Sequence, residues 1–336
     1  MEPAIQGPYL LFLADVPDDG SAKTAAGIWQ WRRELCAGQL PLPGCQVDLG
    51  LPELSPAQAA AGGIRTMIIG VANDGGFIAP GWVPSIVAAL DAGLDVASGL
   101  HEPLAGVSEI AAAAERSARR LIEVRPPPMS FRPGTGIKRS GKRLLTVGTD
   151  CAVGKKYSAL AIERELRARG VDADFRATGQ TGIFISGRGV AVDSVVSDFV
   201  SGAAEWLSPT AAPGHWDVIE GQGSLFHPAY AGVTLGLVHG SQPDVLVLCH
   251  ELGRRHLEGY DAFAIPEYEA CFEEYLSAAR LTNPQARFGG VCVNTSRVGE
   301  SEAKRALAAL AGRLSLPCCD PIRDGVGPIV DHVLRA

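Results

Sequence analysis

The residues best placed to do chemistry are Gly148-Thr149-Asp150-Cys151-Ala152-Val153-Gly154-Lys155-Lys156. An apolar run, Leu144 to Val147, precedes them, and the pattern from Tyr157 to Arg169 predicts a helix. Strand, glycine-rich turn, Gly-Lys and helix is the layout of a phosphate-binding loop. In such a loop consecutive backbone N–H groups face phosphate oxygens, and glycines keep side chains out of their way. The helix dipole adds positive potential, and Lys155 adds a point charge. The match is imperfect: five residues separate Gly148 from Gly154, and Lys156 stands where a Ser or Thr would hold magnesium. Phosphate binding is expected, and magnesium–ATP chemistry is doubtful.

Elements must position this loop. Tyr9 to Ala14, Thr66 to Val71, Leu94 to Ser98 and Leu121 to Val124 read as strands. Between them lie a helix through Trp29 and Glu34, a short one at Ala57 to Gly62, and longer ones at Val83 to Ala92 and Ser108 to Arg120. Asn73-Asp74-Gly75-Gly76 reads as a turn and lacks dinucleotide-loop spacing. This βαβ rhythm predicts a Rossmann-like parallel sheet over residues 1–132. Pro126-Pro127-Pro128 and the Pro/Gly/basic run after it break the rhythm, so residues 133–142 are expected to be a linker. Its basic patch, Lys138 to Arg143, reads first as a solvated segment. A phosphate-loop α/β domain is expected over 143–336. Its strands are Leu144 to Val147, Ala173 to Ala177, Val218 to Glu220, Val245 to Cys249 and Gly290 to Asn294, and its clearest helices are Phe263 to Arg280 and Ser301 to Leu314.

Bulk composition narrows the classes. The chain has 336 residues, 46% hydrophobic and 20% charged, which suits two folded domains. A net charge of −7 carries no footprint for nucleic acid. The eight cysteines are scattered, none in a C-x-x-C motif. That usage fits a reducing cytoplasm. Leu10 to Leu13 is too short a run for a signal core, and no apolar stretch is long enough for a membrane span.

The loop's spelling resembles that of dethiobiotin synthetase and its relatives. Glu220-Gly221-Gln222-Gly223-Ser224 is similar to that family's second motif, whose carboxylate holds magnesium, and Gly289 to Asn294 to its late strand ending near the base. A second resemblance spans nearly the whole chain. Ala177-Thr178-Gly179-Gln180-Thr181-Gly182, Asp193 and Asp198 to Glu205 are similar to a family long known only as a domain of unknown function. Gly99-Leu100-His101, Cys249-His250-Glu251 and the paired lysines fit it too. The chain is identified as a member of this DgcN-type N-acetyltransferase family. The resemblance implies acetylation of a D-amino acid, notably D-glutamate, from acetyl-CoA.

A phosphate loop can hold coenzyme A without cleaving it, which suits the missing magnesium ligand. Gly148 to Lys156 are therefore the expected cofactor residues, and the resemblance to dethiobiotin synthetase implies Asn294 beside them. Acetyl transfer to an amine needs a base and a stabiliser for the oxyanion. Glu220 is the first candidate base, with a magnesium-ligand or helix-capping role as the competing reading. His227 is second, against a structural role. His250 sits at a strand end and could titrate near neutrality. Asp198 joins the candidate catalytic set with Glu205, seven residues on and on one face if helical. Thr178, Gln180 and Thr181 could bind the substrate carboxylate from a glycine-spaced loop, and Arg254 could supply the cation, unless these are a plain turn and a surface ion pair.

The expectation is thus an α/β acyltransferase with a Rossmann-like domain followed by a P-loop domain, acting on a small amino acid with no metal of its own. A homo-oligomer free of nucleic acid and membrane is expected. Two alternatives stay open: an ATP-dependent ligase like dethiobiotin synthetase using Mg-ATP, and a nucleotide-binding regulator without turnover.

Overall fold

In the computed structural model, residues 5–73 and 75–335 are described. Asp74, in the expected turn, lies outside the described residues. The first half runs β1 (Tyr9–Ala14), α1 (Lys23–Trp31), β2 (Cys36–Pro41), α2 (Pro56–Ala61), β3 (Thr66–Ile69), α3 (Val83–Asp91), β4 (Asp95–Ser98), α4 (Ser108–Ser117) and β5 (Leu121–Glu123). The chain continues with β6 (Lys142–Gly148), α5 (Lys155–Ala168), β7 (Ala173–Arg176), α6 (Gln180–Ser186), α7 (Val200–Leu207) and β8 (Trp216–Ile219). Then come α8 (Ala231–Ser241), β9 (Val245–Glu251), the hairpin β10 (His256–Leu257) and β11 (Tyr260–Ala264), and α9 (Tyr268–Arg280). The last elements are β12 (Arg287–Asn294), α10 (Glu300–Leu314), β13 (Cys318–Cys319) and α11 (Gly327–Leu334).

The chain forms two compact units, one of residues 1–128 and 180–194, the other of 129–179 and 195–336. The first is not continuous in sequence: α6 belongs to it, though it follows β7 of the second. Thr24 and Thr181 hydroxyls meet at 3.2 Å within this unit, and Arg32 donates to the Ile185 carbonyl at 2.5 Å. Its sheet is parallel in the order β2-β1-β3-β4-β5, a doubly wound arrangement of flavodoxin type. β1 is buried along its whole length, which its unbroken apolar sequence requires between two helical layers. Sequence periodicity missed β2, Cys-Ala-Gly-Gln-Leu-Pro, because an edge strand needs neither alternation nor β-branched residues.

The second unit holds a six-stranded parallel sheet ordered β13-β12-β9-β6-β8-β7. β6 is central and buried at all but its first residue. From it the chain steps out to β7, returns through β8 and then crosses to β9. The carboxyl end of β6 is therefore the topological switch point, where open α/β sheets bind ligands. Leu145, Val147, Leu246, Leu248, Val291 and Val293 build the core on this sheet, with Tyr275 of α9 packed fully buried among them.

Two expectations are corrected. The helix read from Phe263 starts at Tyr268, because Tyr260–Ala264 pairs with His256–Leu257 as a hairpin. The basic patch is solvated only in part: Lys138 and Lys142 are exposed, but Arg139 is half-buried and Arg143 buried. Arg143 is the largest fully buried side chain, and its guanidinium donates to the carbonyls of Arg139, Ser140 and Pro209, each at 3.0 Å. Arg139 reaches Ser208 O at 2.9 Å and Gly240 O at 2.8 Å. Carbonyls at the foot of the sheet need donors, and these two arginines supply them. Among the described residues no helix is long and apolar enough to cross a membrane.

Candidate functional site

The loop after β6 starts α5 as its spelling requires. Gly154 caps the helix with φ +99°, a left-handed backbone that favours glycine. Thr146, a polar residue in an apolar strand, ties the loop's two flanks together. Its hydroxyl accepts from Gly221 N–H at 3.0 Å and donates to Lys155 O at 3.2 Å. Gly221 lies so close to β6 that a Cβ there would sit 1.7 Å from Thr146 O. Tyr275 fastens the start of the loop, donating to Gly148 O at 2.8 Å and accepting from Leu225 N–H at 3.2 Å. Sequence reasoning missed both residues; the lone threonine in an apolar run was the only signal available.

The Asp150 carboxylate is the knot of the loop. One oxygen accepts from Cys151 N–H at 2.6 Å, and the other from Arg254 at 2.7 Å and Glu258 N–H at 2.8 Å. Arg254 also donates to Cys151 O at 3.0 Å and to Glu251 at 3.1 Å. This guanidinium, expected at the substrate, is instead spent on holding the loop. The Lys155 amine donates to Asp150 O at 2.6 Å, and burial pushes its pKa down.

Glu220 follows β8 beside the two lysines and is 4% exposed. Its Oε2 accepts from Thr178 N–H at 3.0 Å and Gly179 N–H at 3.2 Å. The Thr178 hydroxyl donates to Glu220 O at 2.7 Å and accepts from Gln222 at 3.1 Å. Burial pushes the Glu220 carboxyl above the ordinary range, against the opposing charge of Lys156 and those two N–H bonds. Thr178 thus joins Glu220, whereas Gln180 and Thr181 begin the helix of the first unit; the expected four-residue loop is divided between units.

The two histidines are both held. His250 Nδ1 lies 3.0 Å from the Thr149 hydroxyl, and its ring meets Tyr268 edge-on at 5.0 Å. Burial and then the Arg254 charge push its pKa down to about 4, so it is neutral near pH 7 rather than poised there. His227 Nδ1 accepts from Ala229 N–H at 3.2 Å, which leaves the proton on Nε2, 3.4 Å from Glu258 O. Asp198 stands exposed on a 3₁₀ turn, Ser197–Phe199, ahead of the helix that carries Glu205, so the two do not share a helix face. Glu205 serves the segment before β6, accepting from Thr135 N–H at 2.8 Å and Gly136 N–H at 3.0 Å. Asn294 ends β12, its carboxamide accepting from Ser296 N–H at 3.0 Å.

Asp150, Cys151 and His227 bring one ligand atom each within 4.8 Å of one another, the only such group among the described residues. The donor types would suit a soft divalent cation. However, Asp150 already accepts three hydrogen bonds, Lys155 and Arg254 flank it, and burial pushes the Cys151 thiol up to about 11. The arrangement instead suits an anion: a glycine-rich turn at a helix N-terminus and two lysines beside a buried carboxylate.

A doubly wound parallel unit and a phosphate-loop unit define a two-domain α/β protein of Rossmann-like and P-loop type. The family models agree. Residues 41–127 match "Domain of unknown function (DUF1611_N) Rossmann-like domain", and 132–330 match "Domain of unknown function (DUF1611_C) P-loop domain". The chain belongs to the DUF1611 family. A crystal structure of a DUF1611 family protein from Anabaena variabilis superposes with a TM-score of 0.88 at 29% identity, covering 98% of this chain and 100% of that one. Two curated relatives carry the name D-glutamate N-acetyltransferase. The one from a Pseudoalteromonas species is 48% identical over 98% of this chain and 99% of its own. That from Tritonibacter scottomollicae is 49% identical over 97% and 98%.

Proposed function

We propose that this chain is a D-glutamate N-acetyltransferase that takes its acetyl group from acetyl-CoA. The observation that carries the reading is identity of 48% and 49%, over nearly the full length, to two relatives of that name. An N-acetyltransferase requires an acyl donor, and coenzyme A brings the phosphates that the Gly148–Lys156 loop is built to receive.

The residues divide the work as follows. Loop amides and Lys155 hold the pyrophosphate, and Lys156 adds charge where a magnesium ion would sit in a hydrolase. Glu220 is the base. A raised carboxyl pKa narrows the gap to the ammonium it must deprotonate. His250 is too weak a base, and the His227 lone pair is already used. Glu220 takes a proton from the substrate ammonium, the freed amine attacks the thioester carbon, and the C–S bond breaks as the thiolate leaves and is protonated. Lys156 stands near the oxyanion that forms. With the phosphates on the loop and the base beside it, the flexible pantetheine arm must fold back on itself.

The test is thiol release from acetyl-CoA with a panel of D- and L-amino acids. Free thiol that appears only with D-glutamate or a close analogue supports the reading. ADP formed from Mg-ATP, with no thiol release, would replace it with a ligase.

A further inference from the structure

Three aromatic side chains beside the loop have no part in this chemistry. His227, 1% exposed, stacks on Tyr230 with centroids 4.6 Å and planes 27° apart. Tyr260 meets the same imidazole edge-on at 4.9 Å and Phe263 at 6.1 Å. The histidine is buried, yet Tyr230 is 51%, Tyr260 37% and Phe263 47% exposed. Aromatic rings grouped at the surface around a buried anchor form a binding face rather than a core.

Their position is set by the loop. Glu258, at the turn of the β10–β11 hairpin, donates its N–H to Asp150, and Arg254 just before the hairpin donates to the same oxygen. His227 lies within 4.8 Å of Asp150 and Cys151 ligand atoms. The rings therefore begin one side chain away from the Gly148–Lys156 loop. A cavity of about 350 Å³ opens along the hairpin, lined by Arg254, Arg255 and Arg297 together with Glu258 and Asp261. The Arg255 guanidinium takes no partner among the described residues.

We propose that Tyr230 and Tyr260 form a stacking platform for the purine base of the acyl donor, with Arg255 facing the donor's additional phosphate. The proposal rests on acetyl-CoA being the donor. A nucleotide joins anionic groups to a flat π-face, and the loop and the rings offer the complement of each. D-glutamate is aliphatic and has no flat face to set against them. His227 is a positioning residue here, holding both tyrosines at a fixed distance from the loop.

The experiment compares two donors that share the thioester arm, acetyl-CoA and acetyl-phosphopantetheine, the second lacking the nucleotide. Tyr260→Ala should raise KM for acetyl-CoA about 10- to 100-fold, the range for losing one base–aromatic stack. KM for acetyl-phosphopantetheine and for D-glutamate should stay put, and Tyr260→Phe should behave as wild type. Arg255→Ala, on an exposed side chain that leaves folding alone, should raise KM for acetyl-CoA but not for its 3′-dephospho form. An equal loss with both donors, or a change confined to D-glutamate, overturns the platform. Calorimetry separates the two levels of failure. Wild type that binds no CoA sinks the donor assignment, whereas CoA bound equally by wild type and Tyr260→Ala sinks the platform alone.

Discussion

Asp150 and Arg254 form a buried ion pair at 2.7 Å across the mouth of the phosphate loop, with Asp150 fully buried and the Arg254 side chain 12% exposed. The loop therefore carries its own counter-charge. Asp150 accepts from Arg254 and from the Cys151 and Glu258 N–H groups, so truncating it takes the acceptor from all three at once. Asp150→Ala should lower unfolding free energy by about 3–5 kcal/mol in urea titrations. Arg254→Ala should cost less, because it frees Asp150 to keep two backbone N–H bonds.

Binding and turnover should separate between Lys155 and Glu220. Lys155→Ala removes the charge proposed to face phosphate and should weaken CoA binding about 10- to 100-fold by calorimetry. Glu220→Gln keeps the shape and an acceptor for Thr178 and Gly179 N–H, so CoA affinity should hold while kcat collapses. In wild type, kcat/KM should rise with pH through an apparent pKa above the usual glutamate value, because burial raises this carboxyl. That limb should vanish in Glu220→Gln.

His250 predicts an acid instability with a definite sign. The fold keeps it neutral down to about 4, whereas the unfolded chain takes up its proton near 6.5. Its contribution is thus complete above that ordinary value and is lost as pH falls toward 4. The full span corresponds to about 3 kcal/mol. Urea midpoints should drop between pH 7 and 4.5, and His250→Asn should show a shallower drop. Equal slopes in the two proteins would remove His250 as the cause.

Arg143 and Lys138 belong to one basic run but should respond differently. Arg143→Ala leaves several carbonyls without donors and should cost about 3 kcal/mol or more. Lys138 pairs with Asp244 at 2.8 Å with 38% of its side chain exposed, and Lys138→Ala should cost under about 1 kcal/mol. Thermal melts of the two variants decide this.

The sequence alone determined the parallel α/β class and the loop at Gly148–Lys156, because these follow from local spacing. A glycine-rich turn between an apolar strand and a helix has few other conformations. What only the tertiary structure decided is how long-range partners share out the remaining residues. Arg254 went to Asp150, more than a hundred positions away, and Thr181 went to Thr24, 157 positions back in the same unit. His250 lost its basicity to burial and to that same arginine. Arg143, which reads as solvated in a basic run, became the donor for buried carbonyls. The common reason is that hydrogen-bond partners and desolvation depend on which distant segments meet, and residue type and local spacing do not encode that meeting.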